Sequence, residues 1–488
     1  MIRAAQHASA RPALAWLLLL ATVAGCAVKA APKHDQVVAN ALTDSTRVPA
    51  GWTTPDADSA SLRNGWIATF NDTALSAVVD AAIARNLDLR AAASRVARAQ
   101  AMAELVGAQL RPMVGVGGST SLTHDQSKSD PYKSYGLVLN ISWEADVWGR
   151  VRTEQTAAGE RFAATALDYS AARQSLAALT AKSWYLATEA YQLRDLARQS
   201  VDVYSEMLRL VNARYQAGAV GALDTAEAAA NVAEAQAQVS ASQALLLDAQ
   251  RNLEVLVGAY PAARIQVEAN FVPVPPRVPA GLPSTLLERR PDIAAAELRV
   301  DASFHSVQSA KLALLPSFSL TGSAGRLDDG VLSLLNANPD FYRIGLGLIA
   351  PLYMGGALRD KIVIASADQQ EAIALYGAAV LNAFSEVERA LANEELLGQR
   401  LAALQQALVN RTEAVKLATI KYQAGAIDLF DVLQLRAQEI QTEAIVIKVT
   451  NARLANRIDL HLALGGSFDA TPAVLPPDVP RPSSDLKP

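Results

Sequence analysis

The sequence predicts a membrane α+β fold, in which long helices and four short β-strands are each built twice by an internal duplication. Three observations predict it. The chain repeats its own motifs in its second half, two long stretches contain no proline, and four short segments alternate apolar with small or polar residues. Of the 488 residues, 51% are apolar but only 6% are aromatic, a composition that favours thin contacts between helices over a thick globular core.

Residues 1–25 are predicted to be an export signal. Arg3 and Arg11 precede an apolar run of about eleven residues, which is too short to span a membrane as a helix. The run ends in Val-Ala-Gly before Cys26, a pattern similar to the lipobox of bacterial lipoproteins. The similarity implies cleavage before Cys26 and covalent lipid on it, palmitate included, as the only non-protein group; a plain signal peptide is the alternative. Because Ala27 and not Asp follows, we expect an outer-membrane location facing the periplasm.

A duplication of about 200 residues organises the rest of the chain. Residues 88–96 recur at 292–300, and residues 214–219 recur at 421–426. The predicted parts are an N-terminal lipidated segment 26–71, a first repeat 72–258, a Pro-rich linker 259–283, a second repeat 284–466 and a Pro-rich tail 467–488. Two similar halves suit rings and barrels better than a single catalytic pocket.

Each repeat has the same order of elements. A helix is predicted over 72–110 and again over 284–314, each ending at a proline. Two short strand segments follow, and then proline-free helices at 150–214 and 356–421. A helix of about 65 residues is roughly 100 Å long, more than a globular domain needs. After a Gly-containing turn, shorter helices are predicted at 224–257 and 431–464.

Four segments read as β-strands: 113–122, 135–143, 317–321 and 342–349. Their period of two places one set of side chains on one face, and about ten tilted residues can cross a bilayer. The aromatic residues Tyr135, Trp143 and Tyr342 lie at segment ends, where an aromatic girdle would sit. The alternative is a soluble antiparallel sheet with one buried face.

Strands in lipid must close into a barrel, and four strands are too few to do so. The chain must therefore form a closed ring of copies. Two copies supply eight strands, three supply twelve and four supply sixteen. This arithmetic does not choose among them.

The turns between the long and shorter helices carry the candidate functional residues. Gly218 and Gly425 suit helix C-caps that need a positive φ. Asp224 is followed three residues later by Glu227, and Asp431 by Gln434, a pattern typical of helix capping boxes. Both aspartates can also line a constriction, since a ring repeats them in every subunit and clustered carboxylates attract cations. The two interpretations are compatible.

The composition and motifs favour no enzyme. A formal net charge of −4 without a basic run disfavours nucleic acid as a partner, and one cysteine excludes internal disulfides. The five histidines show no metal-ligand spacing, and His305 and His461 are expected at a surface or interface. Residues 345–350 match a Gly-x-Gly-x-x-Ala pattern, but they lie in a strand pattern rather than opening a helix. We predict no catalysis, no cofactor and no metal.

The chain resembles the TolC family of outer-membrane efflux proteins, most closely its lipoprotein branch (NodT/OprM-like). The resemblance covers nearly all of residues 26–466 and rests on Arg290-Pro291-Asp292, the segments 143–150 and 351–356, and the Tyr-Gln-Ala-Gly sequences at 215–218 and 422–425. It implies a homotrimer with a twelve-stranded β-barrel, a periplasmic α-helical barrel and an equatorial collar from linker and termini. It also implies the exit duct of a tripartite multidrug efflux system, with a periplasmic adaptor (membrane fusion protein) and an inner-membrane transporter of the RND class.

The resemblance further implies a periplasmic gate at the helical tips. Tyr422 and Asp431 match family gate positions, and Asp224 is expected to join them. Ile427 and Gln434 stand where some members have a gating arginine and a second aspartate, a departure for which Asp428 is expected to substitute. The alternative function is a periplasmic coiled-coil lipoprotein that acts as a scaffold or adaptor without a pore.

Overall fold

A computed structural model of the chain describes residues 51–53, 63–124, 132–281, 283–335 and 338–470, together with Gln36. The predicted export signal, Cys26 and residues 471–488 of the predicted tail lie outside the described residues. A short 3-10 helix at Trp66–Phe70 precedes the first long element.

The first repeat contains four helices: α1 (Thr73–Arg85), α2 (Leu87–Ala108), α3 (Arg150–Gln216) and α4 (Ala222–Leu256). The prediction of one helix over 72–110 is wrong, because the chain is extended at Asn86, with φ −60° and ψ 130°. The Asn86 side chain accepts a hydrogen bond from the backbone N–H of Leu89 at 3.0 Å and so begins a new helix.

The second repeat contains α5 (Pro283–Arg289), α6 (Pro291–Leu312), α7 (Ala357–Gln423) and α8 (Leu429–Ala463). The predicted helix over 284–314 is also broken, here at Arg290, because Pro291 disfavours a helical conformation of the residue before it. Three of the four corresponding helix pairs are equally long: α2 and α6 have 22 residues each, α3 and α7 have 67, and α4 and α8 have 35. The first pair differs, because α1 has 13 residues and α5 has 7. The duplication therefore extends to the lengths of the three longer helix pairs.

Four antiparallel strands form one sheet in chain order: β1 (Met113–Thr123), β2 (Tyr132–Ala145), β3 (Ser317–Asp328) and β4 (Phe341–Ile349). β3 continues beyond the predicted segment 317–321 to Asp328. Val114 lies opposite Ile141, Leu139 opposite Ala324, and Leu320 opposite Leu346. Within this sheet β1 and β4 are the two edge strands.

The residues pack into two compact units. The first holds the sheet and, among described residues, the ranges 101–161 and 298–374; the second holds the described parts of 42–100, 162–297 and 375–470. The second unit has the larger apolar core, in which α1, α3, α4 and α8 meet. Its most buried members include Trp66, Phe70, Leu75, Val79, Trp184, Tyr185, Leu253, Leu454 and Ile458. Trp184 donates from Nε1 to the buried carboxylate of Asp72 at 3.0 Å, so the indole N–H is satisfied inside the core.

Each repeat is closed by a joint between its first helix pair and the end of its last helix. In the first repeat, Asn86 Nδ2 donates to the Leu256 carbonyl at 3.0 Å. In the second, Arg290 Nη1 donates to the Ala463 carbonyl at 3.0 Å. Arg290 also forms ion pairs with Asp292 at 2.8 Å and with Glu386 at 2.6 Å. The Arg290-Pro291-Asp292 motif is thus the closure of the second repeat.

The linker between the repeats has no helix or strand over 259–281, but it is held by side chains of the last helices. The buried Glu254 carboxylate accepts the backbone N–H groups of Ala263 at 2.6 Å and Ile265 at 3.1 Å. Burial alone would raise the pKa of Glu254, but these backbone hydrogen bonds outweigh burial and lower it. Arg457, almost fully buried, donates to the Pro276 carbonyl and to Glu394.

The two helical histidines differ in environment. The prediction of a surface or interface position is wrong for His461, which is 5% exposed in the chain and stacks on Trp66 with ring centroids 5.8 Å apart. Burial, with the nearby positive charge of Arg457, lowers the pKa of His461 to about 4, so the ring is neutral. His305 instead shares a 2.9 Å hydrogen bond with Glu160, which raises the pKa of His305.

Candidate functional site: the strand face and the helical tips

The sheet has two chemically different faces. Residues directly opposite each other on antiparallel strands point to the same side, so the observed registers assign each side chain to a face. One face is mostly apolar and includes Val114, Val116, Leu137, Leu139, Ile141, Trp143, Phe318, Leu320, Tyr342, Ile344, Leu346 and Leu348. The other is mostly small or polar and includes Gly115, Gly117, Ser119, Ser121, Asn140, Ser142, Ser319, Thr321, Ser323, Gly345 and Gly347. A sheet of this kind separates an apolar environment from a polar one.

The three aromatic residues predicted to form a girdle lie on the apolar face near its two ends. Tyr135 and Tyr342 belong to the end where the strands are joined by loops, opposite Asp328 and Ala324 respectively. Trp143 lies near the end at which the helices begin, and its Nε1 donates to the Leu110 carbonyl at 2.9 Å. The rings are therefore spaced across the sheet rather than clustered.

The edge strands leave the sheet incomplete. All eleven residues of β1 are exposed in the isolated chain, and on β4 Ile344 is 79% and Leu346 77% exposed. On β3, which has neighbours on both sides, Leu320 of the same face is only 41% exposed. One side of β1 and one side of β4 thus carry backbone N–H and C=O groups that pair with no described strand.

The two helical tips share one backbone turn. Gly218 and Gly425 have φ values of 71° and 74°, a left-handed conformation in which a side chain would be strained. Beyond each glycine the chain bonds back to the helix: Ala219 N–H donates to the Arg214 carbonyl, and Ala426 N–H to the Lys421 carbonyl, both at 2.9 Å. This is a Schellman turn, which satisfies the last helical carbonyls.

In the first tip Asp224 is the third residue of α4, because the helix begins at Ala222 and not at 224 as predicted. Its Oδ2 accepts the backbone N–H of Gly221 at 2.9 Å. The carboxylate therefore caps the positive end of the helix from within the first turn rather than from the N-cap position.

The second tip has the same register but different contacts. Asp428 occupies the N-cap position without a side-chain capping bond, and Asp431 lies in the first turn of α8. Both carboxylates are exposed, and within the described part of the chain neither forms a hydrogen bond or an ion pair. Two negative charges per chain thus face solvent at this tip.

Tyr422 is held between the two tips by a residue that the sequence did not single out. Its ring is 2% exposed, and the Arg214 guanidinium carbon lies 4.3 Å from its centroid. Arg214 Nη2 also donates to the carbonyls of Tyr422 at 3.0 Å and Gln423 at 3.1 Å. A cation over the last carbonyls of α7 stabilises the negative end of that helix. Arg214 aligns with Lys421 in the duplication. A cation at this position in both repeats was the sequence signal that could have pointed to Arg214.

Below the turns, the tips share an apolar core of Tyr204, Val211, Ala228, Ala235, Ala418, Leu429, Val432 and Leu433.

Across the described ranges, the tips included, no group of three or more His, Cys, Asp or Glu residues is placed to hold a metal ion. None of the described helices is long and apolar enough to cross a membrane.

Comparison with known proteins gives consistent matches. The family model "Outer membrane efflux protein" matches residues 78–259 and 282–466. The pyoverdine export outer membrane protein OpmQ of Pseudomonas aeruginosa is 32% identical over 428 residues, covering 85% of this chain and 89% of that protein. The cation efflux system protein CusC of Escherichia coli is 28% identical over 408 residues, covering 83% and 88%. The open-state Neisseria gonorrhoeae MtrE outer membrane channel superposes with a TM-score of 0.76 at 26% identity, over 87% of this chain and 97% of that one.

Proposed function

The chain belongs to the outer membrane efflux protein family, and on that basis we propose that it is the outer-membrane channel of a tripartite efflux system. In this role it conducts substrates passively from an inner-membrane pump and a periplasmic adaptor to the exterior. It performs no catalysis, because the transport energy comes from the pump.

The observation that carries this proposal is the two-faced sheet with open edges. In lipid, unpaired backbone groups are costly, so the edges must pair with further strands until the sheet closes. Three copies supply twelve strands, and a barrel of that size can enclose an aqueous passage lined by the small and polar face. The apolar face then meets lipid. The long helices of the three copies continue the duct as an α-helical barrel in the periplasm, and the linker 259–283 contributes to a collar around it.

The proposal includes two membrane anchors. Residues 1–25 are removed as a signal peptide, and Cys26 carries covalent lipid that inserts into the outer membrane. Tyr135, Trp143 and Tyr342 sit at the two lipid–water interfaces as an aromatic girdle, which their spacing at opposite ends of the apolar face supports.

The helical tips form the periplasmic gate in this proposal. Asp428 and Asp431 are repeated around the ring and create a cation-attracting constriction, which their lack of partners in the described residues supports. Tyr422 and Asp224 lie beside it, and Gly218 and Gly425 shape the turns. Arg214, stacked on Tyr422, couples the two tips of one chain.

The cargo is set by the partner pump, for which we propose an RND-class transporter. Relatives are named for pyoverdine export and for cation efflux, which supports a duct architecture that serves different cargoes. Drug export by this chain is consistent with that breadth, because a wide polar tube needs no tailored pocket.

Two measurements on detergent-extracted protein test the proposal. We expect an oligomer with the mass of three chains that resists heating in dodecyl sulfate, and ion conductance when this oligomer is added to planar bilayers. The Cys26→Ser variant is the matched control, since it lacks the lipid but keeps the channel and should still conduct once purified. A monomer without conductance would instead support a periplasmic scaffold.

A further inference from the structure

We propose that β4 of one copy pairs antiparallel with β1 of the next copy in a fixed register, with Leu346 opposite Thr120. The same register places Leu348 opposite Gly118 and Ile344 opposite Leu122. This pairing rests on the proposed function, because it presupposes a closed ring of copies. It goes further by specifying which residues meet at the subunit boundary within the membrane.

The helices that flank the strands establish which residues of the two repeats correspond. The helix before each hairpin begins at Leu87 in the first repeat and at Pro291 in the second, the same spacing as between Val114 and Phe318. The helix after each hairpin begins at residue 150 in the first repeat and at 357 in the second, the same spacing as between Ile141 and Leu348. Position 114 therefore corresponds to 318, and position 141 to 348.

The two hairpins obey this correspondence. Val114 lies opposite Ile141 in the hairpin of β1 and β2, and Phe318 lies opposite Leu348 in the hairpin of β3 and β4. The internal register of one hairpin is thus reproduced in the other. A register seen at one strand boundary can therefore be transferred to the equivalent boundary.

The contact between β2 and β3 joins the end of one repeat to the start of the next. In a closed ring, the contact from β4 to the next copy's β1 joins the same two kinds of strand. Leu139 lies opposite Ala324 in the observed contact. Replacing each residue by its counterpart in the other repeat turns this pair into Leu346 opposite Thr120. The pairs of Leu137 with Arg326 and of Ile141 with Gly322 give the other two matches.

The faces of the sheet provide an independent check, because a shift by one residue would put every side chain on the wrong side. Thr120 lies opposite Tyr135 and so belongs to the apolar face, as does Leu346, which lies opposite Leu320. The transferred register therefore keeps the apolar face continuous across the boundary. It also places Ile349 beside Gly117 on the other face, a large side chain next to a residue without one.

Cysteine pairs in the full-length protein test the register. Directly opposed residues have Cβ atoms about 4.5–5.5 Å apart and diagonal ones about 7–8 Å, so a disulfide forms readily only in the correct register. We expect Leu346→Cys with Thr120→Cys to convert most of the protein into covalently linked oligomers when oxidised with copper phenanthroline in membranes. Leu346→Cys with Gly118→Cys, or with Leu122→Cys, should leave it mostly unlinked. The unsubstituted chain, with Cys26 alone, is the background control.

A second pair, Leu348→Cys with Gly118→Cys, guards against a variant that fails to fold. Preferred linkage of Leu346→Cys to position 118 or 122 would overturn the register while leaving the ring intact. Absence of linkage in every pair, with the unsubstituted protein still trimeric, would show that β4 and β1 do not meet. A monomeric unsubstituted protein would overturn the proposed channel as well, so the two failures are distinguishable.

Discussion

The joints that close the two repeats connect corresponding positions of the backbone but use different side chains. In the first, the neutral amide of Asn86 reaches the Leu256 carbonyl; in the second, the guanidinium of Arg290 reaches the corresponding carbonyl of Ala463. Arg290 adds two carboxylate partners, whereas Asn86 adds a cap to the following helix. The two repeats therefore agree in where their elements meet, while the second joint carries charged groups that the first joint lacks.

The helical tips differ in the same way. Both turns contain a glycine with positive φ, yet Tyr215 of the first tip is 45% exposed and its counterpart Tyr422 is buried under Arg214. Asp224 caps its helix, whereas Asp431 at the corresponding position has no such bond. The two tips thus share the backbone turn. At each pair of corresponding positions, one side chain is buried or forms a capping bond and the other is exposed to solvent.

The largest loss of stability is expected from substitution of the two glycines that follow the last helix of each repeat and lie at the joints, Gly258 and Gly465. A Cβ on Gly258 would lie 2.6 Å from the Arg85 carbonyl oxygen at a φ of 70°, so Gly258→Ala should destabilise the chain by roughly 3 kcal/mol or more. The corresponding Cβ on Gly465 would meet its nearest atom at 3.1 Å, and Gly465→Ala should have a smaller effect. Urea unfolding followed by circular dichroism measures both, and equal effects would contradict the difference in packing.

Arg290→Ala should have the next largest effect. It leaves Asp292 and Glu386 without their cation and the Ala463 carbonyl without its donor, and we expect about 2–3 kcal/mol after allowing for the partial exposure of both acids. Asn86→Ala should lose about 1–2 kcal/mol, for one cap and one hydrogen bond. The same unfolding assay ranks them. Arg290→Lys keeps the charge but not the two-pronged geometry, so its loss of stability should lie between those of Arg290→Ala and Asn86→Ala. A larger loss of stability for Asn86→Ala than for Arg290→Ala would contradict the comparison.

Acidic pH should destabilise the folded chain through His461, which occupies the position of Glu254 in the first repeat. Its pKa is about 4 in the folded chain against 6.5 ordinarily, so as pH falls below 6.5 the unfolded chain takes up a proton that the folded chain does not. Stability is therefore intact above pH 6.5 and should fall by about 1 kcal/mol per pH unit toward pH 4.

Unfolding midpoints at pH 7.5 and 5.5 measure this loss, and His461→Gln should flatten the difference between them. The lowered pKa of Glu254 acts in the same direction but only at more acidic pH, near and below its ordinary value of 4.5. An unchanged pH dependence in the His461→Gln variant would show that other groups dominate.

The smallest stability effects are expected at the tips. Asp224→Ala removes a capping bond and should destabilise the chain by about 0.5–1 kcal/mol, whereas Asp431→Ala should change stability by less than about 0.5 kcal/mol. The order reverses for conductance: Asp431→Ala should raise it, or weaken block by multivalent cations, in planar bilayers. If Asp431→Ala leaves both unchanged, that carboxylate has no role in the proposed constriction.

Much of the fold could be predicted from local patterns. Proline-free stretches and period-two alternation place the long helices and the strands, and the glycine turns mark the tips. The breaks at Asn86 and Arg290 were missed although each has a local signal, since Asn is a favoured N-cap residue and Pro291 disfavours a helical residue before it. The contacts of Asn86 and Arg290 with the carbonyls of Leu256 and Ala463 could not be predicted, because they come from the distant end of each repeat. Arg214 escaped for the same reason, since its carbonyl partner Tyr422 is 208 positions away. The sequence pattern placed Asp224 at the start of its helix, whereas the helix begins at Ala222 and Asp224 accepts the backbone N–H of Gly221. Helix starts are uncertain by one or two residues, which explains the difference.

The open edges of the sheet also constrain the order of events during biogenesis. A solitary chain entering a bilayer would carry the bare backbone groups of β1 and β4 into hydrocarbon, at several kcal/mol for each unpaired group. In water the same edges invite pairing with the wrong neighbour. In the proposed channel, association of the copies must therefore precede or accompany insertion, and the yield of inserted protein should depend steeply on the concentration of chains available to associate.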